Sequence, residues 1–121
     1  MPKILIIEAN PLMRDKVAAM LKLAHCEVLT APNGIKGIEI ARRSQPDLIV
    51  CDVDLPGLNG YNVLVAVRAI ARLAQVPFVL MSAWSDVEEI TYALSLGAND
   101  FIVKTLLPDR LLAVVQRHVA I

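Results

Sequence analysis

The chain has 121 residues, enough for one hydrophobic core and too few for two. Its 12 basic and 12 acidic residues cancel, which argues against a nucleic-acid surface on this domain. Hydrophobic residues make up 56% and the mean hydropathy is +0.57, yet the longest apolar runs are about five residues, far below the ~20 that span a bilayer. A sheet buried on both faces accounts for such a composition. No secretory signal is visible, since only four apolar residues separate Lys3 from Glu8. Cys26 and Cys51 fall in apolar segments and read as reduced core residues of a cytoplasmic protein. With His25 and His118 they form no metal-ligand spacing.

In chain order, Lys3 to Ile7 reads as a first strand, short and β-branched, ending at Glu8. Asn10 and Pro11 start a helix whose apolar stripe is Met13, Val17, Met20, Leu21 and Ala24. Cys26 to Thr30 is a second strand, Pro32-Asn33-Gly34 a turn, and Ile35 to Arg43 a helix. Gly37 inside that helix costs about 1 kcal/mol against alanine, a cost that a close approach to the sheet would explain. Asp47 to Cys51 is the central strand, delivering Asp52 and Asp54 into a loop that turns at Pro56-Gly57. Asn59 caps a helix with the stripe Val63, Leu64, Val67 and Ile70, leaving Arg68 and Arg72 on its solvated face.

Val76 to Met81 is the fourth strand, ending at Ser82. Ser85 to Glu88 has capping-box spacing and opens a helix carrying Ile90, Ala93 and Leu94, with Gly97 as its C-terminal cap. Asn99 to Val103 is the fifth strand, ending at Lys104, and Pro108 starts a last helix buried through Leu111, Leu112 and Val115. Five strand–helix repeats predict a parallel sheet with right-handed crossovers. The strand ends then share one edge, where open α/β sheets bind ligands. That edge gathers Glu8, Asp52, Asp54, Ser82 and Lys104. Carboxylates suit a hard cation, and each group suits phosphoryl transfer to a carboxylate. Asp52 can attack phosphorus, while Lys104 and Ser82 serve its oxygens.

From ILIIEAN, PNG, PDLIVCDVDLPGLNG, FVLMSA, LGAND and FIVK, the chain resembles the receiver domain of two-component response regulators, the CheY-like family, over nearly its whole length. The resemblance implies a doubly wound (βα)5 fold with strand order 2-1-3-4-5, a single receiver domain over residues 1–121 that could be the N-terminal part of a longer protein, and a cytoplasmic location. It implies Asp52 as phosphoacceptor, Ser82 and Lys104 as phosphoryl-binding residues, and Ser82 with Phe101 as the switch. It implies Mg²⁺ held by Glu8, Asp52 and Asp54, the last through its backbone carbonyl or its side chain. The implied partners are a sensor histidine kinase or phosphotransfer protein and an effector domain or output protein. Neither direct nucleic-acid nor membrane binding is implied, and a homodimer is allowed.

The chain departs from the family in several places. Ala9 replaces the second of two adjacent acidic residues, which should weaken Mg²⁺ by at least about tenfold. A degenerate receiver, acting by binding alone, is therefore the alternative. Thr105 replaces the proline that usually follows the lysine after a cis bond, and a trans, re-routed loop is expected instead. Trp84 reads as a partly buried surface residue, with a lid over the pocket or a partner contact as the functional alternative. Val114 stands where one dimerising subfamily carries arginine, so that dimer is not expected, and Asp100, Arg110 and Arg117 read as solvated charges. His25 and His118 read as exposed helix-end residues. The Asp52-Val53-Asp54 triplet also resembles that of haloacid-dehalogenase-type phosphatases, which would make the chain an enzyme. There the triplet follows the first strand, whereas two strand–helix units precede it here. A flavin-binding flavodoxin-like protein is disfavoured by Glu8 where a phosphate-binding backbone loop is needed.

Overall fold

Alternate residues of each strand point to opposite faces of a sheet, so a strand apolar throughout needs cover on both sides. The computed structural model, which describes residues 1–121, meets that demand with five parallel strands in the order β2-β1-β3-β4-β5. The elements are β1 (Lys3–Ile7), α1 (Pro11–Leu23), β2 (Glu27–Ala31), α2 (Gly34–Ser44), β3 (Leu48–Asp52), α3 (Gly60–Arg68), β4 (Phe78–Ser82), α4 (Val87–Ser95), β5 (Asp100–Val103) and α5 (Leu107–Gln116). Two short 3-10 turns, Ala71–Leu73 and Lys104–Leu106, precede β4 and α5. No helix is long and apolar enough to cross a membrane.

One face of the sheet, with Ile4, Ile6, Leu48, Val50, Val79 and Met81, packs under α1 and α5. The other, with Leu5, Ile7, Ile49, Cys51 and Leu80, packs under α2, α3 and α4. β3 and β4 are buried at every position. Both cysteines are free and buried, as their apolar setting suggested.

Several expectations are corrected by the packing. β3 starts at Leu48 rather than Asp47 and β4 at Phe78 rather than Val76, while Asp52 and Ser82 close these strands as expected and pair in the ladder opposite Met81 and Val103. Asp86, not Ser85, caps α4, accepting from Glu89 N at 2.8 Å. In α5 it is Leu107, Leu111, Val114 and Val115 that are buried, while Leu112 is exposed; in α4 only Ala93 is buried and Leu94 is exposed. Arg68 is no solvated charge. Its half-buried guanidinium donates to the carbonyls of Leu73, Val76 and Gly97 and to Asn99 Oδ1, tying the loops that enter β4 and β5. Burial pulls its pKa down, because desolvation disfavours the charged form. His118 is also no exposed end residue: its Nε2 lies 3.2 Å from Asp100 Oδ2, which Arg117 reaches at 3.1 Å.

Two glycines let helices approach the sheet at backbone distance. A Cβ on Gly37 would lie 2.4 Å from Ile7 Cδ1, which confirms the close approach read from the sequence. A Cβ on Gly60 would lie 2.4 Å from the Asp52 carbonyl oxygen and 2.8 Å from Val53 Cα. Side chains can give way, but the strand backbone cannot. Gly60→Ala is therefore expected to cost about 3 kcal/mol and Gly37→Ala about 1–2 kcal/mol in urea denaturation. The reverse order would contradict this account of how α3 is seated.

Candidate functional site

The parallel order carries the ends of β1, β3 and β5 to one edge, and with them Glu8, Asp52 and Lys104. Glu8 is 1% and Asp52 3% exposed, so both carboxylates are removed from bulk water. Each must then find partners within the protein. Asp52 Oδ1 accepts from Asp54 N at 3.1 Å, and Asp52 Oδ2 from Lys104 Nζ at 2.8 Å. Glu8 Oε2 accepts from Asn10 N at 3.1 Å. Glu8 Oε1 lies 2.7 Å from Lys104 Nζ, an ion-pair distance, yet the alignment is not that of a hydrogen bond. One ammonium thus bridges two buried carboxylates contributed by different strands.

Burial alone would lower the Lys104 pKa, but the hydrogen bond to Asp52 and the charges of Asp52 and Glu8 outweigh it and raise the value. The neighbouring Cys51 thiol is pushed well above its ordinary value, first by burial and then by Asp52 and Glu8. It is a neutral core thiol beside the site, donating to the Asp52 carbonyl at 3.4 Å.

Ser82 is 3% exposed on the next strand. Its hydroxyl donates to the Trp84 carbonyl at 2.6 Å, folding the loop after β4 back on the strand end. Trp84 itself is 68% exposed, more open than the half-buried residue or lid considered from the sequence. Phe101 is half-buried and lines a cavity of about 230 Å³ with Ile90, Ile102, Val103, Leu106 and Arg110. Every peptide bond is trans, Lys104–Thr105 included, and the 3-10 turn Lys104–Leu106 passes directly into α5.

As donors for a hard cation, the site offers the two buried carboxylates, a Glu8 oxygen with no hydrogen-bond donor, and the Asp54 carbonyl, which accepts no backbone hydrogen bond. Asp54 is exposed, Ala9 offers no oxygen, and no three acidic, histidine or cysteine side chains converge anywhere in the chain. Mg²⁺ uses only one or two carboxylates beside water and phosphate. The donor set therefore fits Mg²⁺, one side-chain ligand short and in competition with Lys104.

Fold and site together define a doubly wound α/β domain that collects acidic groups, a hydroxyl and a lysine beyond its strand ends. The family described as the response regulator receiver domain matches residues 4–116, and the chain belongs to it. It is similar to the DNA-binding dual master transcriptional regulator RpaA of Synechocystis, 34% identical over 96% of this chain and 48% of RpaA. Its backbone is similar to that of the Vibrio cholerae chemotaxis protein CheY4, with TM-score 0.93, 28% identity, and coverage of 98% of this chain and 99% of that one. It also resembles the receiver domain of the sensor histidine kinase PA1611 of Pseudomonas aeruginosa (TM-score 0.88, 29% identity, 97% and 96% covered), whose structure has a magnesium ion in its active-site cleft. The chain spans about half the length of the first curated regulators it matches. The family match sets aside the phosphatase and flavin readings.

The bridge makes stability depend on pH in a definite sense. Because the folded Lys104 pKa is raised, its contribution is fully present below the unfolded value of about 10.4 and is lost as pH rises through the folded value. Lys104→Met should cost about 3 kcal/mol at pH 7, by leaving two buried carboxylates unpaired. The gap between wild type and variant in denaturant titrations should then narrow above pH ~10.4. A gap that stays constant to high pH would show that the variant loses packing rather than charge.

Proposed function

We propose that residues 1–121 act as one receiver unit that accepts a phosphoryl group on Asp52 from a histidine kinase or phosphotransfer protein and passes the signal through its α4-β5-α5 surface. The observation that supports this most is the Lys104 bridge, which holds the Asp52 carboxylate at the sheet edge beside a cation able to meet a phosphoryl oxygen. The attacking Asp52 oxygen forms the new P–O bond, the P–N bond to the donor histidine breaks, and the departing imidazole takes up a proton. Lys104 moves its hydrogen bond from the carboxylate to a phosphoryl oxygen. Ser82 gives up the Trp84 carbonyl for another, and Phe101 packs inward. Glu8, Asp52 and the Asp54 carbonyl would hold Mg²⁺, which when bound offsets repulsion between the carboxylates and the phosphoryl oxygens.

The relatives suggest both settings for such a unit, as part of a longer transcriptional regulator like RpaA or standing alone like CheY4. Ala9 favours a second reading, a degenerate receiver that binds its partner without phosphorylation.

Intact mass after incubation with acetyl phosphate and Mg²⁺, beside an Asp52→Ala control, separates the two. Gain of one phosphoryl group in the wild type alone is expected. No gain, at high Mg²⁺ and with a phosphohistidine donor as well, would establish the degenerate reading. Ala9→Asp should tighten Mg²⁺ at least about tenfold, measured by calorimetry. Unchanged affinity would show that residue 9 is not a ligand position.

A further inference from the structure

Helix α4 is fastened on one flank only. It buries a single residue, Ala93, and leaves Val87, Tyr92 and Leu94 exposed. Toward α5 it faces the cavity lined by Ile90, Phe101, Leu106 and Arg110. Toward α3 it meets Tyr61, whose hydroxyl donates to Glu89 Oε1 at 3.0 Å. The Tyr61 ring also stands edge-on to Tyr92, with centroids 5.1 Å apart and planes at 72°. Burial, then the Glu89 hydrogen bond and the charges of Glu89 and Asp54, raise the Tyr61 pKa, so the hydroxyl stays a donor. Tyr61 directly follows Gly60, whose N–H bonds the Val53 carbonyl at 2.9 Å and which lies against the Asp52 backbone.

We infer that Tyr61 is a positioning residue: its clasp on Glu89 holds α4 against α3 in the resting domain and keeps it from rolling into the cavity beside Phe101. The clasp joins α4 to the backbone of the acceptor loop by a route separate from Ser82. The inference deepens the proposed function, since it rests on α4 belonging to the signalling surface. The clasp itself is a property of the unmodified chain, and can fail or hold whatever Asp52 does.

Hydrogen exchange of the unphosphorylated chain, read on peptides spanning 87–96, tests it. Tyr61→Phe keeps the ring and its contact with Tyr92 and removes only the hydroxyl. A charge-assisted hydrogen bond of this kind should be worth about tenfold in local opening. Exchange in α4 should therefore rise about tenfold in Tyr61→Phe and in Glu89→Ala, and no further in the double variant. Glu89→Gln, which keeps an acceptor oxygen, should stay within about threefold of wild type. Unchanged α4 exchange in Tyr61→Phe would overturn the clasp. So would an equal rise in α1 and α5, or additive effects of the two substitutions.

Discussion

Two carboxylates almost out of reach of water share one ammonium, and the rest of the molecule is arranged to keep them together. Removing an ion from water costs several kcal/mol even after relaxation, and a pair offsets that only with good geometry. Here three ions are placed by three separate strands, so the geometry comes from the sheet and not from local chain stiffness. Glu8 and Lys104, 96 positions apart in sequence, meet at 2.7 Å because β1 and β5 flank the β3–β4 pair in register. The trio of two carboxylates and one ammonium carries one excess negative charge, which favours an added cation and resists an anion.

That placement demands a rigid frame, and the frame is apolar. β3 and β4 are buried along their whole length, so their register is held by side chains on both faces. At the site the helices come close enough that only glycine fits, as at Gly60 against Asp52 and Val53. The α4 side is built differently. α4 buries one side chain, fewer than any other α-helix of the chain, and stands beside a cavity. Rigidity at Asp52 and looseness at α4 are what the proposed phosphoryl switch needs for a local charge event to become a change of surface.

Much of this was legible in the sequence because it rests on short-range pattern. Alternating strand and helix segments imply the parallel sheet, and the polar residue closing each apolar run marks the shared edge. Glu8, Asp52, Ser82 and Lys104 all follow from that rule. What the sequence hid depends on tertiary distance or helix phase. Arg68 looks solvated on a helical wheel, yet the chain folds four carbonyl or amide oxygens around it, from residues up to 31 positions away. The Tyr61–Glu89 bond joins residues 28 apart on different helices, with no pattern to announce it. In α5 the buried stripe is Leu107, Leu111, Val114 and Val115, and Leu112 falls outside it. Ser85 and Asp86 are both good caps by residue type, and backbone geometry chose the second.

Lys104 is bound to both carboxylates at rest, and the titration of its side-chain nitrogen by NMR tests that most directly. The Lys104 Nζ should titrate above the ordinary lysine value in the wild type, and fall back in part in Asp52→Asn and in part in Glu8→Gln. An ordinary value in the wild type, or indifference to either substitution, would contradict the bridge and the reading of the site built on it.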